Sequence, residues 1–441
     1  MKYFLLFVVL FSLFNGRNFA QENSNSDSTG IIGINSPFSY KMIEPNQNLR
    51  KLEILLEARQ NNEIKSGSLT IGSSLIAIAD YQKSNTDSKF AYLMRIPTSA
   101  NQIGKEVSEA VIHSFDLMLA GTLNDWLAIY ADILFDPEQS YAPGTITALA
   151  RNQLQLRTGF IAVGDLRKFP LYGSIGKMNA PFGQTGSVNP FTNSTMWHAF
   201  GGLGYGAQIG FKKWDLNASI MFVQGGAQFR AMNTPVGDST NVPSKLNNFT
   251  ADLNYNIIFK KGVEFLLGGS YLHGSAYNQD YPITHFTAAT SVNPAYTFYG
   301  KFSYLNKLVV EGSYAITSKV WPGTHNPNPP LDIYEASKVS SLDAGIKYVF
   351  NDKGKIPIAV SGEFSNFIAG PDGAPWERQN QLVFGVSGLL RKSSRLFLEF
   401  IMTEGYVPLN FISGGNLAPG ETHSVRDANS YVILIGGMIT L

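Results

Sequence analysis

Charged side chains that alternate with apolar ones are the residues of this chain with the most scope for chemistry. Successive side chains of a β-strand point to opposite faces, so such charges would share one face of each strand. A charge facing lipid costs about 2 to 4 kcal/mol at the bilayer midplane for arginine or lysine, so this face is predicted to line an aqueous interior. The candidates for lining a channel and binding a solute are Arg157, Lys177, Lys301, Lys347, Arg395, Glu264, Glu311 and Asp215.

Each of these charges, taken alone, is as well explained by solvation of a wall or by pairing with a neighbour. Together they predict a water-filled passage, whose selectivity would come from side-chain charge and from constricting loops. Both signs of charge are present, so the sequence predicts no strong preference for anions or cations.

Motifs for catalysis or metal binding are absent from the sequence. The chain has no cysteine, which excludes disulfide, thiol–metal and cysteine-nucleophile chemistry. Its histidines show no H-E-x-x-H motif and no pair at helical spacing. The stretch GGLGYG at Gly201–Gly206 departs from G-x-G-x-x-G and is interpreted as strand glycine. We predict no enzyme and no cofactor, although a serine, a histidine and a carboxylate can meet across strands without a linear motif.

Short strands are the elements that must position the charges. From Trp214 to Val223 apolar residues alternate with largely polar ones, and the stretch from Leu203 to Lys212 repeats this pattern. About sixteen such segments are predicted, an even number as in bacterial membrane barrels. They begin near Gly67, Ser108, Asp125, Asn152, Pro170, Leu203, Trp214, Leu246, Gly262, Pro294, Asn306, Ser340, Lys355, Gln381, Ser394 and Ala428.

Short and long connections between these segments alternate strictly. Short turns are predicted around Asn124, Arg167, Lys213, Lys261, Asn306, Asp352 and Ser393. Long loops are predicted at roughly 83–107, 137–151, 179–202, 226–245, 276–293, 320–339, 369–380 and 405–427. This alternation places every long loop on one rim, and in an outer-membrane barrel that rim faces outside.

Composition supports the same fold class. Charged residues make up 15% of the chain, against about 25% in a typical soluble domain, and aromatic residues make up 12%. The net charge of +1 argues against nucleic acid as a partner. We predict an all-β, transmembrane, antiparallel up-and-down barrel in the cell outer membrane, in contact with its lipid.

The ends of the chain predict three regions. Residues 1–20 are typical of a secretory signal peptide, because Phe4–Phe14 is apolar but too short to span a bilayer. Residues 21–66 are predicted to be a periplasmic segment with one short helix, within Asn48–Asn62, and are too few to fill a lumen as a plug. Residues 67–441 form the barrel. The last strand, ending at Leu441, has the pattern of a signal for the barrel assembly machinery.

Three stretches resemble the LbtU-type outer-membrane siderophore porins. They are SGSLTIGSSLIAIADYQ after the N-terminal helix, NDWLAIYADILFD after a short turn, and GKMNAPFGQ at Gly176–Gln184. In the last of these, Pro181 must end the preceding strand. Phe182 and Gly183 then either start a constriction loop that folds into the lumen or simply turn the chain at the membrane interface. The resemblance implies a cargo of ferric siderophore.

The sequence therefore predicts a channel for passive uptake of a small solute, and the resemblance implies that this solute is a ferric siderophore. A porin for another hydrophilic solute, an adhesin or receptor, and a barrel enzyme remain open alternatives. If the ferric complex is anionic, Arg157 and Lys177 are the expected contacts, because they are predicted to lie on adjacent strands next to the Pro181–Gly183 loop.

Overall fold

The computed structural model describes residues 31–44, 50–90, 103–136, 153–224, 246–259, 262–277, 292–305, 307–408 and 417–441. Within these ranges, sixteen antiparallel strands form one closed sheet, as predicted. Each strand pairs with its neighbours in sequence, and the last pairs with the first long strand. They are β2 Ser68–Ser84, β3 Glu106–Thr122, β4 Leu127–Asp136, β5 Gln153–Val163, β6 Leu171–Asn179, β7 Leu203–Lys213, β8 Leu216–Gln224, β9 Leu246–Phe259, β10 Val263–Leu272, β11 Ala295–Tyr304, β12 Leu308–Thr317, β13 Ser340–Phe350, β14 Ile358–Ile368, β15 Arg378–Leu390, β16 Ser394–Tyr406 and β17 Val425–Thr440.

The predicted strand positions are confirmed. Every strand begins within three residues of its predicted start, and the GGLGYG stretch leads into β7. The predicted short turns around Asn124, Arg167, Lys213, Asp352 and Ser393 fall where consecutive strands meet on one rim, and the predicted turn residues Lys261 and Asn306 lie outside the described residues. Trp214 and Asp215 form one of them, with φ of 55° and 61°, the left-handed pair that a two-residue type I′ hairpin turn requires. The predicted loops at 137–151 and 226–245, and the predicted signal peptide, lie outside the described residues.

The N-terminal segment contributes a short strand and two helices. β1, Ile32–Gly33, runs parallel to β2 beside Leu69 and Thr70. α1, Ser36–Ile43, is capped by Asn35, whose side chain accepts a hydrogen bond from the Phe38 N–H at 3.1 Å. α2, Lys51–Gln60, confirms the predicted short helix. A third helix, α3, Thr195–Phe200, lies between β6 and β7. No helix among the described residues has the length and apolar character needed to cross a membrane.

The two faces of the sheet differ in polarity, as the alternation predicts. On the outer face Ile209 is 58% exposed and Leu253 is 54% exposed. Their sequence neighbours on the inner face, Gln208 and Asp252, are each 4% exposed. Apolar side chains therefore cover the outside, where lipid surrounds the barrel, and polar side chains point to the interior.

The interior contains α1, α2 and the connection 180–202. Phe38 and Met42 of α1, and Leu55 of α2, are at most 1% exposed and belong to one apolar cluster with wall residues such as Met118. Both helices of the N-terminal segment therefore lie within the lumen and not outside the barrel, although the segment does not fill the lumen by itself. The segment does not have to fill the lumen alone, because the connection 180–202 takes up the opposite side of the same space.

Candidate functional site

A cavity of about 840 Å³ lies inside the barrel, between α2, residues 183–188 and the wall of strands β7 to β13. Lys213, Trp214 and Asp215 contribute to its lining, so the cavity reaches the rim of short turns. Arg50 and Tyr299 line the end of the cavity that is further from this rim. The space is partly open, charged and large enough for a small hydrophilic solute.

Most of the predicted wall charges meet in this cavity. Lys301 and Glu311 are direct partners on β11 and β12, with the Lys301 ammonium 3.5 Å from a Glu311 oxygen. Glu311 also accepts a hydrogen bond from the Gln184 amide at 2.6 Å. Asp215 lies in the turn rather than on a strand face, so its predicted place within a strand is corrected. The predicted residues that line the cavity are Asp215, Glu264, Lys301, Glu311 and Lys347.

Three predicted residues, Arg395, Arg157 and Lys177, do not line the cavity. Arg395 faces the lumen as predicted, but it is 8% exposed and its guanidinium already has hydrogen-bond partners. It donates to the Pro190 carbonyl at 2.7 Å, pairs with Glu44 at 2.7 Å and contacts the Tyr40 hydroxyl. Arg157 is the extra residue of a β-bulge opposite the step from Asp132 to Ile133. Arg395 therefore joins α1 and the inward connection to the wall, and does not line the cavity.

Lys177 is the predicted wall charge that was assigned to the wrong face. By the alternation along β6 it shares the outer side with Ile175, which is 69% exposed, and it lies opposite Tyr205, but the Lys177 side chain itself is only 6% exposed. Its ammonium donates to the Leu156 carbonyl at 3.0 Å and sits 5.7 Å from the centre of the Tyr205 ring. The backbone acceptor and the aromatic face satisfy this cation near the end of the strand, so it does not need the aqueous interior.

The Pro181–Gly183 turn lies inside the barrel. β6 ends at Asn179, before Pro181, and the Pro181 carbonyl then accepts a hydrogen bond from Thr250 at 3.1 Å. Gly183 has φ of +67° and its N–H donates to Ser270 at 2.8 Å. A Cβ at Gly183 would lie 2.9 Å from Thr297, so glycine permits both the turn and the close approach. Of the two alternatives that the sequence left open, the structure has the inward fold.

Two buried glutamates of the wall fix the inward connection further along. Glu363 accepts four hydrogen bonds of 2.8 to 3.0 Å from residues 187–189. Glu399 accepts from the backbone N–H groups of Phe191 at 2.7 Å and Thr192 at 3.1 Å. Both carboxylates are at most 1% exposed. These hydrogen bonds tie the connection to the wall across the lumen, and the loss of any one of them would leave a buried polar group unsatisfied.

Arg50, just before α2, is a site residue that the sequence argument missed. Its guanidinium bonds both oxygens of Asp252 at 3.0 and 3.2 Å, the Gly183 carbonyl at 3.0 Å and the Tyr299 hydroxyl at 3.0 Å. Burial lowers the pKa of Arg50, but the charges of Asp252 and Glu53 more than compensate, and the pKa lies well above its ordinary value. The group is therefore a permanent cation. Its partners are far apart in sequence, and no local pattern could have predicted them.

A closed ring of sixteen strands among the described residues, apolar outside and charged inside, defines a transmembrane β-barrel of the outer-membrane class. In such a barrel each backbone group pairs within the sheet, so the strands can cross lipid. The protein is accordingly placed in the outer membrane.

Comparison with solved structures finds the same porin-type barrel fold. The anion-selective porin from Comamonas acidovorans is 12% identical with a TM-score of 0.50, and the match covers 85% of this chain and 99% of that one. OprB of Pseudomonas putida is 8% identical with a TM-score of 0.50, over 84% of this chain and 94% of that one. No protein-family model and no curated relative matches the chain. At these identities the likeness concerns the fold alone.

Proposed function

We propose that this barrel is a passive outer-membrane channel for a small hydrophilic solute. The observation that carries the proposal is the cavity of about 840 Å³, which lies within the barrel, reaches one rim and is lined by charges of both signs. A lining of this kind supports solute passage when binding is weak enough to allow release. The inward connection 180–202 is the proposed constriction, with Pro181, Phe182 and Gly183 at its start. The activity needs no catalysed reaction and no cofactor.

As the solute we propose a ferric siderophore, on the strength of the resemblance at Gly176–Gln184 to the siderophore porins. An anionic ferric complex would be concentrated by cations inside the narrow lumen, because the low-dielectric walls focus the field of these charges. Lys301 and Lys347 are the proposed contacts, because both line the cavity whereas Lys177 lies on the outer face. A porin for another hydrophilic solute is the competing assignment.

The test is permeation of liposomes and planar bilayers by the purified protein. We expect wild-type protein to conduct, and Lys301→Gln with Lys347→Gln to lower entry of an anionic ferric complex more than entry of a neutral sugar of similar size. Lys307→Gln is the matched control, because Lys307 pairs with Asp352 at 3.0 Å in a short turn. Equal losses for the two solutes would favour a porin limited by size only.

Growth of a deletion strain on iron-loaded siderophore as sole iron source tests the cargo directly. Normal growth would count against the siderophore and leave the channel in place. Absence of conductance together with binding to a surface would favour an adhesin or receptor, and turnover in lipase or protease assays would favour a barrel enzyme.

Two further assignments are proposed on the sequence pattern. They are removal of residues 1–20 as a signal peptide, and delivery of the 67–441 barrel by the assembly machinery through its last strand. N-terminal sequencing of the mature protein tests the first. A cleavage site elsewhere would move the boundary.

A further inference from the structure

The inner helix α2 is packed as a permanent part of the lumen. Leu52, Leu55 and Leu56 are 5%, 0% and 3% exposed, and they share one apolar cluster with Tyr130 and Phe160 of the wall. The lumen wall of an aqueous barrel is generally polar, so this apolar patch needs a cover. Because α2 provides the cover, a passage through the barrel must run along the polar side of this helix.

The polar side of α2 faces the cavity, and Arg50 stands at its deep end. Arg50 and Glu53 also line a second, much smaller pocket of about 20 Å³, together with Met178, Pro181 and Gln208. Arg50 therefore lies at the boundary between the cavity and the part of the lumen nearer the end of β6. That end of β6 is the one that leads to the rim of long loops.

Three separate parts of the molecule meet at the Arg50 guanidinium. It belongs to the N-terminal segment, bonds the Gly183 carbonyl of the inward connection, and bonds Asp252 and Tyr299 of the wall. Asp252 is itself held by Ser270 at 2.5 Å, so its carboxylate is oriented towards Arg50. A planar guanidinium with five donors can serve all these acceptors at once, which neither glutamine nor lysine can do.

We propose that Arg50 is a latch that joins the inner helix to the inward connection and keeps the passage above the cavity narrow. The proposal rests on the channel function and adds to it the position of the narrowest point. Widening then requires the Arg50 contacts to break while α2 stays in place.

The experiment compares the full-length protein with its Arg50→Gln variant in planar bilayers. We expect a several-fold rise in conductance for Arg50→Gln. Lys41→Gln is the matched control, because Lys41 is in the same N-terminal segment and pairs with Glu63 at 2.9 Å on an exposed surface. Its conductance should equal that of wild type.

A second measurement follows the position of α2. The chain has no cysteine, so Leu55→Cys gives a single thiol at a fully buried position. We expect this thiol to resist labelling in both the wild-type and the Arg50→Gln background. A rise in conductance accompanied by labelling would mean that the helix itself leaves, and would overturn the latch. Unchanged conductance in Arg50→Gln beside a conducting wild type would overturn the latch alone, and no conductance from either would overturn the channel as well.

Discussion

Lys51 of the inner helix and Asp132 of the barrel wall form an ion pair with 2.5 Å between the ammonium nitrogen and a carboxylate oxygen. Asp132 is 1% exposed, and the Lys51 ammonium also donates to the Tyr130 hydroxyl at 3.3 Å. The pair therefore joins α2 to β4 inside the barrel, beside the apolar contacts of the leucines. Because bulk water has little access to either charge, neither can be removed alone without leaving the other unpaired.

We expect Asp132→Asn and Lys51→Met each to destabilise the docked helix by about 3 to 5 kcal/mol, the usual cost of one unpaired buried charge. The double variant Lys51→Met with Asp132→Leu should cost less than either single change, because neither member of this ion pair is then left buried without the other. Resistance of α2 to proteolysis across a urea series measures all three. Costs that simply add would show that the two residues are not coupled.

Adjacent leucines on β10 provide a matched test of the two faces. Leu267 is 48% exposed on the lipid side, whereas Leu266 lines the cavity. Leu267→Arg should impair assembly, since arginine at the midplane costs about 2 to 4 kcal/mol, and Leu266→Arg should still give a folded barrel. Heat-modifiability gels report the folded fraction. Similar behaviour of the two variants would contradict the assigned faces.

The inward connection should loosen when its two glutamate anchors are replaced. Glu363→Gln and Glu399→Gln exchange one acceptor oxygen for an amide that cannot accept the hydrogen bonds from residues 187–189 and from Phe191 and Thr192. Each change should cost about 1 to 3 kcal/mol, because a buried donor is left unsatisfied. We expect noisier and larger single-channel currents in planar bilayers. Glu264→Gln, on the cavity wall, is the control that should leave the current noise unchanged.

The strands could be predicted because contact with lipid and the alternation of side chains along a strand both leave a pattern in neighbouring residues. An apolar side chain at every second position, interrupted by turn residues, is enough to locate β2 to β17 to within a few residues. Asp215 was placed on a strand but lies in a two-residue hairpin turn. Such turns are usually recognised by Asn-Gly, whereas here Trp214 and Asp215 adopt the positive φ angles.

The contents of the lumen could not be predicted in the same way. Arg50 and Asp252 are 202 positions apart, and Lys51 and Asp132 are 81 apart, so their pairing depends on the closed barrel. The leucines of α2 did predict a helix but not the surface that it covers. For Lys177, the apolar Ile175 two residues earlier was the usable signal, because it sets which positions of β6 face outward.

Topology in the membrane follows from the two unequal rims and can be tested on cells. Asn328 lies in the long connection between β12 and β13, and Asp352 lies in the short turn between β13 and β14. An epitope tag inserted at Asn328 should react with an antibody outside intact cells, since the long loops of outer-membrane barrels face outward. A tag at Asp352 should react only after the outer membrane is permeabilised. Because β13 alone separates the two sites, a signal from Asp352 on intact cells would invert the orientation of the whole barrel.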